Sequence, residues 1–169
     1  MIITNMAIHW KHSDGGRAEA GYKSSSSDCG VRAIANATGI PYATTYALVA
    51  HFSKGERQGK RKRGISHPSK GIYRQCMDKV MAFIGWEWHP TMFIGQGCKV
   101  HLAHNELPDN CAMVVSLSKH YTAVINRVVH DTYDPSRNGD RCVYGYYTGP
   151  RLGEGLVLPP LPDGVPPCQ

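Results

Sequence analysis

Three short stretches carry side chains that can do covalent chemistry together. In Ser27-Asp28-Cys29-Gly30-Val31-Arg32 a cysteine falls at the first turn of a predicted helix. Backbone N–H groups there lack intrahelical partners and the helix dipole is positive, so a thiolate is stabilised and a developing oxyanion can be held. The plainer use of such a cysteine is as a small buried residue. In Lys119-His120-Tyr121-Thr122-Ala123-Val124-Ile125 a histidine stands at the mouth of a predicted strand. Beside a thiol it would act as base and later as acid for the leaving group; alone it reads as a structural histidine. In His130-Asp131-Thr132-Tyr133-Asp134-Pro135 two carboxylates lie on the returning strand. An acid next to the histidine would fix its tautomer and stabilise the imidazolium. If Asn126-Arg127 is a strict two-residue turn, His120 pairs with Tyr133 and Asp131 lies diagonally on the same face. A one-residue bulge brings Asp134 opposite His120 instead, and the spacing leaves both open.

The elements that must position these groups are legible in the periodicity. Asp28 or Ser27 can cap a helix whose face is Val31, Ile34, Ala35 and Thr38 and whose stop is Gly39. A second helix is predicted over 41–52, with Pro41 in its first turn and Tyr42, Tyr46 and Val49 on a stripe. Segment 54–70 (KGERQGKRKRGISHPSK) has no apolar period and reads as a mobile loop. A third helix is predicted over 71–84, ended by Gly85. After that the period changes. Trp86-Glu87-Trp88 alternates, with 91–94 as a continuation, and 112–117, 121–125, 128–133 and 142–147 read as strands. Helices first and an antiparallel sheet afterwards predict an α+β domain over 1–148. The stretch 149–169 contains six of the eleven prolines and is expected to run extended over the surface or to fray.

Composition narrows the setting. The 169 residues suffice for one domain with a true core, and 41% hydrophobic with 19% charged residues is ordinary for a globular chain. No stretch approaches the roughly 18–20 apolar residues of a membrane span, and MIITNMAIHWKH lacks the layout of a secretory signal. A soluble protein of a reducing cytoplasm is therefore expected, with no membrane partner. Six cysteines without a CxxC pair read as free thiols rather than a disulfide framework. The formal charge of +6 is local: eight of nineteen basic residues and one acid fall between Lys54 and Arg74, and the remainder is nearly neutral. That loop is by default solvated, but offers an anionic partner a salt-sensitive contact. It has no interleaved aromatics for base stacking, which argues against nucleic acid.

The order Cys on a leading helix, His on a strand and acid on its hairpin partner resembles the papain-like cysteine peptidase superfamily. Locally, Asp28-Cys29-Gly30, His120-Tyr121 and Asp134-Pro135 resemble bacteriocin-processing peptidase domains. The resemblance implies Cys29 as nucleophile, His120 as general base and Asp134 as orienting acid, with Asp131 as the substitute. DCGVRAIANATG, PTMFIGQGCKVHL, SKHYTAVI, HDTYDPSR and CVYGY are also similar to small bacteriophage-encoded proteins, over about 27–147. The implied protein is a phage-encoded thiol hydrolase acting on a peptide, isopeptide or related amide in the host cytoplasm, with no cofactor. Papain-like enzymes usually carry a Gln six residues before the Cys to complete the oxyanion hole; here that position is Lys23. Lys23, one of the serines that follow, or Gln96 from Gly95-Gln96-Gly97 would have to replace it. The same departure, with the basic loop, supports an alternative: a non-catalytic interaction protein on this scaffold, such as an inhibitor of a host-defence factor. An acyltransferase using the same thioester is a third reading. Cys98, His101, His104 and Cys111 have spacings that zinc tolerates, but they match no familiar finger, and no metal is expected.

Overall fold

The computed structural model describes residues 6–24, 27–60 and 64–169. Along the chain these form β1 (His9–His12), α1 (Cys29–Thr38), α2 (Tyr42–Ser53), α3 (Arg74–Ile84), β2 (Glu87–Pro90), β3 (Ala112–Leu117), β4 (His120–Ile125), β5 (Val128–Asp131) and β6 (Gly145–Thr148). The architecture is α+β. The strands make one sheet in the order β1-β5-β4-β3-β6-β2. Among the described residues no helix is long and apolar enough to cross a membrane.

The sheet is mixed rather than purely antiparallel. β1, from a stretch with no apolar alternation, adds to β5 in parallel, with His9 opposite Val128 and His12 opposite Asp131. All four β1 residues are exposed, so pairing and not burial makes this segment a strand. Residues 91–94 do not extend β2, and β6 begins at Gly145 rather than at Cys142. α3 begins at Arg74, after the chain has turned through a bridge between His67 and Gly71.

β3 is buried at all six positions because it has cover on both sides. Val114 faces the layer of Val31, Ile34, Met77, Val80 and Ile84 from the helices. Met113, Val115 and Leu117 face Leu102, Leu107 and Val143 on the other side. A continuous apolar run is what a strand buried on both faces requires. α1 lies across β4 and also touches β3 and β5. It is buried nearly all round, and its run of Gly, Val, Ala and Ile allows that close approach. Complete burial of Ile34 contributes about 1.5–3 kcal/mol.

Of the two courses open to the proline-rich end, it takes the one over the surface, without helix or strand, and does not fray: Leu152 N–H donates to the Thr38 carbonyl at 2.7 Å, and Arg151 donates to the carbonyls of Ala37 and Asn36. These are the last carbonyls of α1, which the helix itself leaves without partners. Thr44 Oγ1 donates to the Pro166 carbonyl at 2.8 Å, and Leu156 is buried. The expectation that all the cysteines are free is overturned. Cys98 and Cys142 form a disulfide, while Cys29, Cys76, Cys111 and Cys168 remain thiols. Backbone bonds from Leu102 N–H to Arg141 and from Val143 N–H to Val100 run the two segments side by side. Sequence spacing carries no trace of that pairing, since the partners stand 44 residues apart.

Candidate active site

Cys29 is the first residue of α1, half-buried, and Asp28 occupies the N-cap position. The Asp28 carboxylate makes no capping hydrogen bond, so it leaves the first-turn N–H groups beside the sulfur uncovered. It turns inward instead and accepts from Arg17 Nη1 at 3.0 Å, Arg32 Nε at 2.9 Å and Tyr42 Oη at 2.8 Å.

His120 opens β4, directly after the two-residue turn Ser118-Lys119 in which Lys119 has φ of 55°. β4 returns through Asn126 and Arg127, both in the left-handed region at φ 48° and 61°. This is the two-residue hairpin turn with both central residues at positive φ. The register runs Ile125 to Val128, Val124 to Val129 and Ala123 to His130 without a bulge. Asp131 therefore lies diagonally across from His120 on the same face. Its Oδ2 accepts from His120 Nε2 at 2.7 Å and from Thr122 Oγ1 at 2.7 Å. Its Oδ1 accepts from Arg32 Nη1 at 2.8 Å and from the Thr132 N–H at 2.7 Å.

The acid joined to His120 is thus Asp131, and the expectation for Asp134 is corrected. The strict turn denies Asp134 the place opposite the imidazole that a bulge would have given it. Its Oδ1 accepts from the Ser136 N–H at 2.9 Å, closing the turn that follows β5. Tyr133, two residues past the end of β5, lays its ring 5.2 Å from the imidazole.

His120 Nε2 is committed to Asp131, and the imidazole and the Cys29 thiol line the same groove, near enough for each to shift the other's titration. Burial opposes the charge on both. His120 with its positive charge, the Tyr121 backbone N–H and Arg32 nevertheless bring the Cys29 thiol below its ordinary value. Burial likewise disfavours the imidazolium, but Asp131 and Cys29 push His120 up to about 8. Asp131 is buried, which alone would favour its neutral form; His120, Thr122 and Arg32 hold it below the usual carboxylate value. A thiol shifted down and an imidazole shifted up beside it favour a thiolate–imidazolium pair.

Arg32 was part of the cysteine motif, but its role was not legible. It bridges two buried carboxylates, Asp28 and Asp131, which lie far apart in sequence. The i,i+4 spacing of Asp28 and Arg32 was the only available signal. Thr122 and Tyr42 are likewise joined to the site only through the fold.

The thiol opens into a groove of about 460 Å³ lined by Ile72, Tyr73, Leu117 and Tyr121 on its apolar side. A second cavity of about 610 Å³ also borders His120 and is lined by Asp134, Arg137 and Arg141. Gly30, behind Cys29, lies close against Ile72: a Cβ there would stand 2.5 Å from Ile72 Cδ1, so the end of that side chain would have to move aside.

The other candidates are not gathered here. Lys23 is exposed, and Ser25 and Ser26 lie outside the described residues. Gln96 accepts from Lys99 Nζ at 2.8 Å and does not line the groove. Cys98 is held by Cys142, His101 Nδ1 is paired with Glu106 at 2.9 Å, and Cys111 Sγ donates to the Pro108 carbonyl. Among the described residues no group of three His, Cys, Asp or Glu side chains is arranged to hold a metal ion. Of the basic loop, 61–63 lie outside the described residues.

No family model, no curated protein and no solved structure matches this chain.

Proposed function

We propose that the protein is a thiol hydrolase of papain-like type, phage-encoded, that cleaves a peptide, isopeptide or related amide. The observation that carries this reading is His120, bonded to Asp131 at 2.7 Å and lining one groove together with a cysteine at a helix N-terminus. Support for the papain-like assignment comes from the leading helix that bears the cysteine and crosses the strand that bears the histidine, with the acid on the next strand.

The Cys29 thiolate attacks the carbonyl carbon, forming an S–C bond while the carbonyl electrons move onto oxygen. First-turn N–H groups of α1 face that oxyanion. As the tetrahedral species collapses, the C–N bond breaks and His120 gives its proton to the leaving amine. Water then attacks the thioester while His120 takes one of its protons. The S–C bond breaks, releasing the carboxylic acid and restoring the thiolate. Asp131 keeps its charge throughout and holds the ring, as the acid of a triad does.

The test is the pH dependence of iodoacetamide alkylation, followed at each cysteine by peptide mass spectrometry. Cys29 is expected to react fastest, with an apparent pKa below the ~8.5 of a free thiol, and to lose that advantage in His120→Ala. Alkylation of Cys29 no faster than that of Cys168 would overturn the proposal.

A further inference from the structure

The cations at the mouth of the groove are not balanced by the protein itself. Lys70 and Lys119 are exposed and both line it, Lys70 before α3 and Lys119 beside His120. Neither side chain has a carboxylate partner among the described residues. Arg74, the third cation, donates to Asp78 at 2.8 Å and stacks 3.5 Å over the Trp88 ring. No Asp or Glu is among the described lining residues. Deeper in, Arg32 is already neutralised by Asp28 and Asp131.

The wall that carries Lys70 is built rather than loose. Ser66 is buried; its N–H and Oγ donate to Glu56 at 2.9 and 3.0 Å, and its Oγ accepts from the Tyr73 N–H at 2.8 Å. The single acid of segment 54–74 is thereby turned toward its own loop, away from the groove. His67 and Gly71 close the next turn by a two-way backbone pairing. Gly64, Ile65 and Lys70 stand on this frame as one side of the groove.

An apolar floor, two uncompensated ammonium groups and no carboxylate define a ligand of opposite charge. Resting on the hydrolase reading, we infer that the groove takes an acidic acyl donor: a peptide with carboxylate side chains beside the amide presented to Cys29. The aliphatic parts of the peptide lie on Ile72 and Leu117, and its carboxylates meet Lys70 and Lys119.

The paired reagents iodoacetate and iodoacetamide test this without requiring hydrolysis, because they differ in charge and attack the same sulfur. The ratio of their rates at Cys29 cancels any change in the thiol's own reactivity. In Lys70→Gln/Lys119→Gln the iodoacetate-to-iodoacetamide ratio is expected to fall at least about threefold, and 500 mM salt should abolish the difference from the parent chain. The control Lys11→Gln/Lys79→Gln removes the same charge outside the groove. Equal ratios in the two double variants would overturn the inference. In the second arm, an octapeptide with Glu and Asp flanks should slow iodoacetamide alkylation of Cys29 more than its Gln and Asn counterpart; equal protection would also overturn it. The iodoacetamide rate of Cys29 against Cys168 reports on the hydrolase reading alone, so the two failures are separable.

Discussion

Two carboxylates three residues apart meet different fates, and the difference is testable. Asp131→Asn removes the charge that raises His120, so the imidazole is expected to titrate well below about 8, as read from its ring-proton shifts. Alkylation of Cys29 near neutral pH should fall at least about tenfold, within the range that positioned acid–base partners supply. Asp134→Asn, which alters only the turn at Ser136, should leave both quantities unchanged. The sign with pH follows from the shifts. His120 rises from 6.5 to about 8 on folding, so its stabilising contribution is complete below about 6.5 and drains away as pH rises through about 8. Asp131 moves the other way: its contribution is present above the unfolded value of 3.8 and is lost as pH falls through the lower folded value. The thiolate–imidazolium pair therefore weakens as His120 deprotonates, and amide cleavage should show its alkaline limb near pH 8.

At the scale of elements, α1 and the β4–β5 hairpin are locked together by charge. Arg32→Met leaves Asp28 and Asp131 buried without their shared cation. Removing one partner of a buried network costs about 3–5 kcal/mol, which urea denaturation would measure. The hairpin matters through its register. Asn126 adopts φ of 48°, which a β-branched side chain resists. Asn126→Val should cost about 1–2 kcal/mol. It should also slow Cys29 alkylation, because the register alone sets Asp131 against His120. Asn126→Gly, which accepts that conformation, should not.

Over the whole molecule, the chain's end and its disulfide fasten parts that sequence leaves separate. Deleting 150–169 strips the Arg151 and Leu152 bonds from the C-terminal carbonyls of α1 and uncovers the core beneath Leu156. A lower thermal midpoint in calorimetry is expected, with Cys29 reactivity falling in step as α1 loosens. Reduction of Cys98–Cys142 reopens a 44-residue separation. A loop of that size predicts a loss of about 2–4 kcal/mol, compared by denaturation with and without reductant.

The sequence by itself determined the elements that short-range physics governs. Apolar spacing with Gly39 and Gly85 as stops marked α1 and α3, and the run at 112–117 marked β3 to the residue. It also determined the residue types of the site, since Cys29 and His120 stand where a helix begins and a strand opens. Tertiary structure alone decided the rest. Choosing Asp131 over Asp134 required knowing that the turn is unbulged, because one residue of slip moves every side chain to the other face. β1 carries no periodic signal and becomes a strand only by pairing with β5. The Cys98–Cys142 bond and the Asp28–Arg32–Asp131 bridge join residues brought close only when the sheet is assembled. Local pattern follows from nearest neighbours along the chain, whereas these pairings depend on register and on what packs across the sheet.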